Sequence, residues 1–375
     1  TDITTLVRIK NNGTNSGQGS SCSPVMSDDG QYVAFMSSAR DLISSSSGSQ
    51  QIYIRDMRLR ETRLVSGNRY PVSSPSMSSD GHYVAFYGGF FPGSLYVWDA
   101  STGTNASIGT ASYSPLVFSG NNRSLAFLSR SDGITRVYVH NLAAHENLLI
   151  SNVSTNFRYR AHPVISADGR FVAFASDFDL TGNDTNKIRD VFMRDVETGV
   201  TILISVNLSG SKSGNGSSDY PAMSANGRFI AFESVATDLT RDTVDGKRNI
   251  YLRDTQAGTT ELTSRNRTGL GDGNNSSTRP FISRNGRLIV FSSRASDLVE
   301  GDYNNLPDLF YVRLSQRSFA DTDGDGVDDS WEYVYFGNLS KTGAEDSDGE
   351  EQTDFEEFAA GTIPVLGAQA LRAYV

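Results

Sequence analysis

Six short runs of apolar residues recur along this chain, and each is bounded by polar and turn-forming residues. Their consecutive apolar positions are typical of short strands that are buried on both faces. A small alanine or valine beside a large phenylalanine would let neighbouring sheets approach closely. The pattern therefore predicts the central strands of several stacked β-sheets. The runs are YVAF (32–35), YVAF (83–86), SLAF (124–127), FVAF (171–174), FIAF (229–232) and LIVF (288–291).

A proline-containing motif precedes each apolar run and defines a repeat. It reads Pro-x-x-Ser followed by Asp-Gly or Asn-Gly, except in the third repeat, which has Gly120-Asn121-Asn122. Asp-Gly and Asn-Gly pairs tolerate the positive φ of a tight hairpin turn. Repeats of about 40–50 residues built from short strands are typical of β-propellers. We therefore predict an all-β, six-bladed propeller over residues 1–319. The repeated prolines are Pro24, Pro75, Pro115, Pro163, Pro221 and Pro280.

The two ends of the predicted propeller complement each other. Residues 1–20 resemble the ends of later repeats, such as GVTILIS (199–205), whereas the sixth repeat stops at residue 319 before a full fourth strand. We expect residues 4–9 to supply that strand and to close the ring, because closure removes an exposed sheet edge.

The charge of the chain is concentrated in one segment. Residues 320–364 carry a net charge of −13, and residues 1–319 carry +2, within a total of −10. The chain therefore has no basic footprint for nucleic acid.

Cys22 is the single cysteine, so no intrachain disulfide is possible, and no run of 18 apolar residues predicts a membrane span. No signal peptide is visible at Thr1.

A further strand-like run follows in each repeat: QIYIRD, SLYVWD, RVYVHN, DVFMRD, NIYLRD and DLFYVR. Four of these runs end in aspartate, at Asp56, Asp99, Asp195 and Asp254, which we interpret as caps of the following turns. Together the two motifs resemble the TolB-like propeller repeats of bacterial envelope and secreted proteins. This resemblance covers residues 1–319. It implies a secreted, periplasmic or cell-surface protein. TolB also has an α/β domain before its propeller, which we do not find here, so its transport role is not implied.

The loops between the second and third strands share a design in repeats four to six. An Asp-Leu pair begins each loop, and a second Asp or Asn follows 11 residues after the first Asp. Two interpretations remain open: a cation bound by side-chain oxygens, or Asx turns that order the loop. Because repeats two and three have short links, we expect the ligand surface beside the long loops. The paired residues are Asp179 and Asp190, Asp238 and Asn249, and Asp297 and Asp308.

The acidic segment begins with a 12-residue pattern at residues 321–332. Acidic side chains occupy loop positions 1, 3, 5, 9 and 12, and glycine occupies position 6. This spacing matches the EF-hand calcium loop, in which position 7 provides a backbone oxygen. Position 8 departs from the pattern because it holds Asp328. The predicted ligands are Asp321, Asp323, Asp325, Val327, Asp329 and Glu332.

A second loop of the same length covers residues 346–357, with Glu351 at the position where glycine is expected. We expect short helices over residues 331–336 and 355–360, the second ended by Gly361. The segment 320–364 resembles the calcium-binding linkers of secreted bacterial proteins, which are akin to thrombospondin type 3 and dockerin repeats. We interpret residues 365–375 as the start of a further domain. The second set of predicted calcium ligands is Asp346, Asp348, Glu350, Asp354 and Glu357.

No catalytic constellation is apparent in the sequence. The four histidines, His82, His140, His145 and His162, lack metal-ligand spacing, and no Gly-x-Ser-x-Gly motif is present. We therefore predict a non-catalytic propeller that recognises a protein or a glycan and carries a calcium-stabilised C-terminal linker. The alternative is a polysaccharide hydrolase or lyase with a carboxylate pair in the propeller channel.

Overall fold

The computed structural model describes residues 6–360 apart from positions 12, 14, 45–47, 68, 74, 91–92, 111–114, 156–161, 305, 315–322, 324, 326, 328–331, 333–334, 337–340, 348 and 350–351. Among the described residues, no helix is long and apolar enough to cross a membrane.

Six antiparallel sheets follow one another along the chain, and strands adjacent in sequence are adjacent in each sheet. This arrangement confirms the six-bladed propeller. Blade one has β1 (Ser21–Met26), β2 (Tyr32–Ser37), β3 (Gln51–Asp56) and β4 (Glu61–Leu64). Blade two has β5 (Ser76–Met77), β6 (Tyr83–Gly88), β7 (Ser94–Asp99) and β8 (Thr104–Thr110). Blade three has β9 (Val117–Phe118), β10 (Ser124–Ser131), β11 (Ile134–Asn141) and β12 (Glu146–Ser154). Blade four has β13 (Val164–Ile165), β14 (Phe171–Ser176), β15 (Asp190–Asp195) and β16 (Thr201–Leu203). Blade five has β17 (Ser218–Met223), β18 (Phe229–Ser234), β19 (Asn249–Asp254) and β20 (Thr259–Leu262). Blade six has β21 (Ser277–Ile282), β22 (Leu288–Ser293) and β23 (Asp308–Arg313) among the described residues.

The turn between the first and second strands of each blade is formed by Ser-x-Asp-Gly or Ser-x-Asn-Gly, or by Ser-Gly-Asn-Asn in blade three. In blade four, Ser166 Oγ donates to Asp168 Oδ1 at 2.5 Å and accepts from Phe171 N at 2.8 Å. Gly169 has a φ of +81°, as the sequence predicted for this turn. In blade three, Asn122 takes the same left-handed conformation, with a φ of +57°. The serine is therefore repeated because it fixes the turn.

These turns are joined to one another around the axis of the propeller. Ala167 N donates to Ala225 O, and Ala225 N donates to Arg284 O, which links blades four, five and six. Between blades six and one, the guanidinium of Arg284 lies 3.2 Å from the carboxylate of Asp28. We call this set of turns the inner belt. The first strands of adjacent blades contact each other as well, so they form the innermost layer of the ring.

The hydrophobic core lies between neighbouring blades. On one face of blade four, Ala173, Val191 and Met193 pack against Phe232 and Tyr251 of blade five. Within each blade, the aromatic residue of the second strand stacks on that of the third, as Phe232 does on Tyr251 at 5.9 Å between ring centroids. The apolar runs of the sequence are therefore buried on both faces, as expected.

The start of the chain packs on blade one in the same way that the end of blade four packs on blade five. Val7 lies against Leu42 and Phe35, just as Ile204 lies against Leu239 and Phe232. This similarity supports the interpretation that the chain begins in the last strand of a repeat.

The expected pairing of residues 4–9 with blade six is not tested, because residues 4 and 5 lie outside the described residues. In the described part of this segment, Ile9 bridges Ser16, and no bridge joins residues 6–9 to β23. Leu309 and Tyr311 of β23 are 79% and 67% exposed, whereas Val191 and Met193 at the same positions of blade four are buried. Closure by the N-terminal strand therefore stays a prediction.

The described part of the C-terminal segment ends with a short helix, α1 (Asp354–Ala360), where the sequence predicted residues 355–360. Its N-terminus is a capping box, in which Glu356 N donates to Thr353 Oγ1 at 3.2 Å and Thr353 N donates to Glu356 Oε2 at 2.9 Å. Earlier in the segment, Glu332 and Tyr335 are helical. This observation agrees with the helix that was expected over residues 331–336.

Candidate functional site

The residues that precede the repeated prolines lie at one end of the channel. Among the described residues these are Ser23, His162, Tyr220 and Arg279, which we call the mouth residues. Each comes just before, or lies within, the first strand of its blade, and these strands form the innermost layer. The strand then runs from the mouth residue to the inner belt, so the mouth lies at the end of the channel remote from the belt.

Three of the mouth residues have a backbone conformation that side-chain-bearing residues rarely adopt. Ser23, Tyr220 and Arg279 have φ values of +51°, +50° and +53°. Each lies in a β-bulge, where the register of the first strand shifts against the second. A bulge changes the direction of a side chain, and backbone strain of about 1–3 kcal/mol per residue is concentrated at functional sites. This repeated strain marks the mouth as a candidate ligand site.

Blades four, five and six give the mouth its chemical character. The rings of His162 and Tyr220 stack at 4.3 Å between centroids, with an interplanar angle of 25°. Arg279 is exposed, and its backbone N donates to Glu233 Oε2 at 3.2 Å. Burial raises the pKa of Glu233, and this hydrogen bond opposes the increase. The mouth thus offers an aromatic pair and a guanidinium on blades four to six, whose long loops share the Asp-Leu design.

An ion-pair network beside the mouth fixes blade four against blade five. Arg189 contacts Asp177 at 3.2 Å and Asp219 at 2.6 Å, and Asp219 directly precedes Tyr220. Because Asp177 directly follows β14 and Asp219 lies in β17, these ion pairs tie the bulge that carries Tyr220 to blade four. Asp177 and Asp219 therefore have a structural role.

The mouth residues were missed by the sequence analysis, although a signal was present. The residue before the repeated proline is serine in the first three repeats and His162, Tyr220 and Arg279 in the last three. A position that changes from small to aromatic or charged between repeats indicates that the fold does not fix its identity. Its location at the channel became apparent only from the strand order.

The other side chains considered for catalysis have structural partners. His82 pairs with Asp99 at 3.1 Å, and His140 Nδ1 lies 2.9 Å from Asn147 Oδ1. The strand-three aspartates cap turns as predicted: Asp195 Oδ1 accepts from Glu197 N at 2.9 Å. The hydrogen bond from Arg170 lowers the pKa of Asp195 to about 2.

The first acidic loop brings three of its predicted ligands together. Ligand oxygens of Asp323, Asp325 and Glu332 all lie within 4.8 Å of one another, and Glu332 is buried. Two oxygens on one calcium ion are separated by at most about 5 Å, because each Ca–O distance is about 2.3–2.6 Å. This acidic triad can therefore hold a hard metal ion. Val327 is buried beside it, and its backbone N donates to Asp325 Oδ1 at 2.8 Å. Asp321 and Asp329 lie outside the described residues.

The second acidic loop is described only in part. Asp346 is exposed, and its Oδ1 accepts from Gly349 N at 2.7 Å. Asp354 is buried, and its two carboxylate oxygens accept from the backbone N and the hydroxyl of Ser347. Glu357 is also buried. Asp348 and Glu350 lie outside the described residues, so a second cation site stays a prediction.

The acidic segment rests on the junction between blades six and one. The guanidinium of Arg287 lies 4.8 Å from the ring centroid of Phe358 in α1. Burial raises the pKa of Tyr335, whose hydroxyl is hydrogen-bonded to Arg284 of the inner belt. The segment therefore contacts the end of the channel that is opposite the mouth.

No protein-family model and no curated protein matches this sequence. Among solved structures, one from a study of two prolyl endopeptidases is 14% identical, with a TM-score of 0.50, and the match covers 80% of this chain and 40% of that one. The β-propeller domain of the Trilobed protease from Pyrococcus furiosus is 14% identical, with a TM-score of 0.49 and coverages of 78% and 82%. TolB from Acinetobacter baumannii is 18% identical, with a TM-score of 0.42; the match covers 76% of this chain and 62% of that protein. At these identities the likeness concerns the fold alone.

Proposed function

We propose that this chain is a non-catalytic recognition propeller that binds a protein or glycan ligand at the channel mouth. The observation that carries the proposal is the strained presentation of Tyr220 and Arg279, with His162 stacked on Tyr220. Flat aromatic faces and an exposed guanidinium suit sugar rings, carboxylates and aromatic side chains.

The proposal can be tested by the binding of the full chain to an array of acidic and neutral polysaccharides and to immobilised envelope proteins. Arg279→Ala and Tyr220→Ala should each weaken the binding found at least about tenfold, since truncated anchor residues dominate binding energies. Phe355→Ala is the matched control, because Phe355 is an exposed aromatic residue of α1, in the segment that contacts the opposite end of the channel. Normal binding by Arg279→Ala, or turnover of any polysaccharide, would contradict the proposal. Turnover would favour the hydrolase or lyase alternative.

We further propose that calcium folds the acidic segment around Asp323, Asp325 and Glu332. All their donors are oxygens, which suits calcium. Extracellular modules bind calcium at about 10⁻⁴ to 10⁻³ M, so the site would fill outside the cytoplasm, in a secreted, periplasmic or cell-surface protein. The propeller has its own core and should respond less to this ion.

Limited proteolysis with and without chelator tests the calcium proposal. Chelation should expose cleavage sites between residues 319 and 364 and leave residues 1–319 resistant. Asp323→Ala and Glu332→Ala should mimic chelation, whereas Asp328→Ala at loop position 8 should not. If calorimetry detects no calcium binding at millimolar concentration, or if Asp328→Ala is as damaging as Glu332→Ala, the proposed ligand set is wrong.

A further inference from the structure

Two carboxylates are buried side by side where the long loop of blade four meets β15. Asp184 is 6% exposed and Asp190 is fully buried. The carboxylate of Asp184 is close enough to Asp190 to raise the pKa of Asp190, although burial contributes more to that increase. Asp184 Oδ2 is buried and accepts no hydrogen bond in the described structure. A buried carboxylate oxygen without a donor is unfavourable unless a cation or a proton is present.

Both carboxylate oxygens of Asp190 accept hydrogen bonds from neighbouring side chains. Its Oδ1 accepts from Ser205 Oγ at 2.5 Å, and its Oδ2 accepts from Asn186 Nδ2 at 2.7 Å. Asn186 Nδ2 also donates to Gly214 O at 2.7 Å, so the amide is held in place from both sides. No lysine, arginine or histidine of the described residues forms an ion pair with Asp184 or Asp190. Among the described residues, the carboxylates of Asp184 and Asp190 therefore have no basic side chain as an ion-pair partner.

Blade six repeats the arrangement with Asp302, Asn304 and Asp308 at the corresponding positions. Asn304 Nδ2 donates to Asp308 Oδ2 at 3.0 Å, as Asn186 does to Asp190. Asp302 Oδ1 is again buried without a hydrogen-bond partner among the described residues. Two loops with different flanking sequences thus leave an equivalent carboxylate oxygen without a donor. Such a coincidence is not expected from Asx turns alone.

Blade five supplies the contrast. The positions of Asp184 and Asp190 are occupied there by Thr243 and Asn249. The loop carboxylate Asp245 is paired with Lys247. This blade has the same fold, so the paired carboxylates are not required to form the loop.

We propose that the long loop of blade four binds a divalent cation of the calcium class between the carboxylates of Asp184 and Asp190, and that Asp302 and Asp308 form an equivalent, more exposed site in blade six. Oxygen ligands without sulfur or imidazole favour calcium or magnesium. Water would complete the coordination of the ion. The sites are distinct from the acidic triad, since they lie in the propeller loops.

Hydrogen–deuterium exchange on the full chain carrying Asp323→Ala and Glu332→Ala tests this proposal without interference from the acidic triad. Adding 10 mM CaCl₂ in place of chelator should slow exchange in peptides covering residues 179–190 and 297–308. At free calcium of about ten times the dissociation constant, the expected slowing is about tenfold. Peptides covering residues 238–249 of blade five are the internal control and should not change.

A variant assigns the ion to its ligands. Asp184→Asn should abolish the calcium response of residues 179–190 and leave that of residues 297–308, whereas Asp245→Asn should leave both. A response to MgCl₂ of similar size would identify a magnesium-class site and still support a divalent cation. No calcium or magnesium response in residues 179–190, or one that survives Asp184→Asn, would overturn the proposal. A change with pH but not with either ion would overturn it as well, because a proton would then occupy the carboxylate pair.

Discussion

Blades four and five fold alike, but they bury different chemical groups at the start of the third strand. In blade four, Ser205 Oγ donates to Asp190 Oδ1, and in blade five Ser264 Oγ donates to Asn249 Oδ1 at 3.0 Å. The side chains of Asp190 and Asn249 are both buried. Each serine Oγ also accepts a hydrogen bond at 3.0 Å from the backbone N of the residue that follows, which is Val191 in blade four and Ile250 in blade five. In these two blades a side-chain oxygen accepts the same serine hydrogen bond, and an amide provides that oxygen as well as a carboxylate.

The two blades differ in the surroundings of the other polar atom of this side chain, which is Oδ2 in Asp190 and Nδ2 in Asn249. Asn249 Nδ2 donates to Asp272 Oδ2 at 2.9 Å, so an uncharged amide satisfies a neighbouring carboxylate. Asp190 cannot donate when it is ionised, and burial is the main reason that its pKa is raised to about 7. From this comparison we expect the carboxylate of blade four to cost stability in the absence of a cation, and the amide of blade five not to do so.

Placing a carboxylate in blade five should have the largest effect. Asn249→Asp would remove the donor to Asp272 and bury a second negative charge beside it, so we expect a loss of about 3–5 kcal/mol at pH 8. Urea denaturation measures the loss. Asn207→Asp is the control, because the side-chain oxygen of Asn207 is an acceptor for Ser211 N and should tolerate the change. A loss below about 1 kcal/mol would mean that the site in blade five is well solvated.

The reverse change in blade four should stabilise the protein when chelator is present. With a folded-state pKa near 7 and an unfolded pKa near 4, Asp190 binds more protons in the folded state between these values. The free energy of unfolding should therefore fall as pH rises from about 4 to about 7 and then level off. Asp190→Asn should remove this contribution and add about 1–3 kcal/mol at pH 8.

Melting temperatures of the parent and of Asp190→Asn, measured in chelator at pH 5 and pH 8, test the reverse change. The gain should be present at pH 8 and small at pH 5. A gain of equal size at both values would show that charge is not its cause. A loss at pH 8 would show that the carboxylate is stabilised by contacts other than those in the described structure.

Removing the serine hydroxyls should give the smallest difference in stability between the two blades. Ser205→Ala breaks a hydrogen bond to a carboxylate, and Ser264→Ala breaks one to a neutral amide. Hydrogen bonds to charged groups are worth about 1.5–3 kcal/mol and neutral ones about 0.5–1.5 kcal/mol. At pH 8, Ser205→Ala should therefore cost about 1 kcal/mol more than Ser264→Ala, and at pH 5 the two costs should converge. Equal costs at pH 8 would indicate that Asp190 is already protonated there.

The sequence by itself determined the blades, because each depends on local patterns. Apolar runs such as FVAF and the Ser-x-Asp-Gly turn act within about ten residues, so their role could be deduced from hydrogen-bonding capacity and turn geometry alone. The same holds for the spacing of Asp323, Asp325 and Glu332, since a single loop fixes their separation. The capping box at Thr353 is likewise a local feature.

Only the tertiary structure decided which distant residues meet. His162 and Tyr220 come from different blades. Their stacking depends on the strand order and on the left-handed bulge at Tyr220, which no local sequence pattern predicted. Burial of Asp184 and Asp190 likewise depends on the chain that covers the loop, including Ser205 and Gly214. The local sequence left two interpretations of that loop open, a bound cation or Asx turns. The two interpretations differ in whether a carboxylate oxygen is left without a donor, and that depends on packing by residues far away in the sequence.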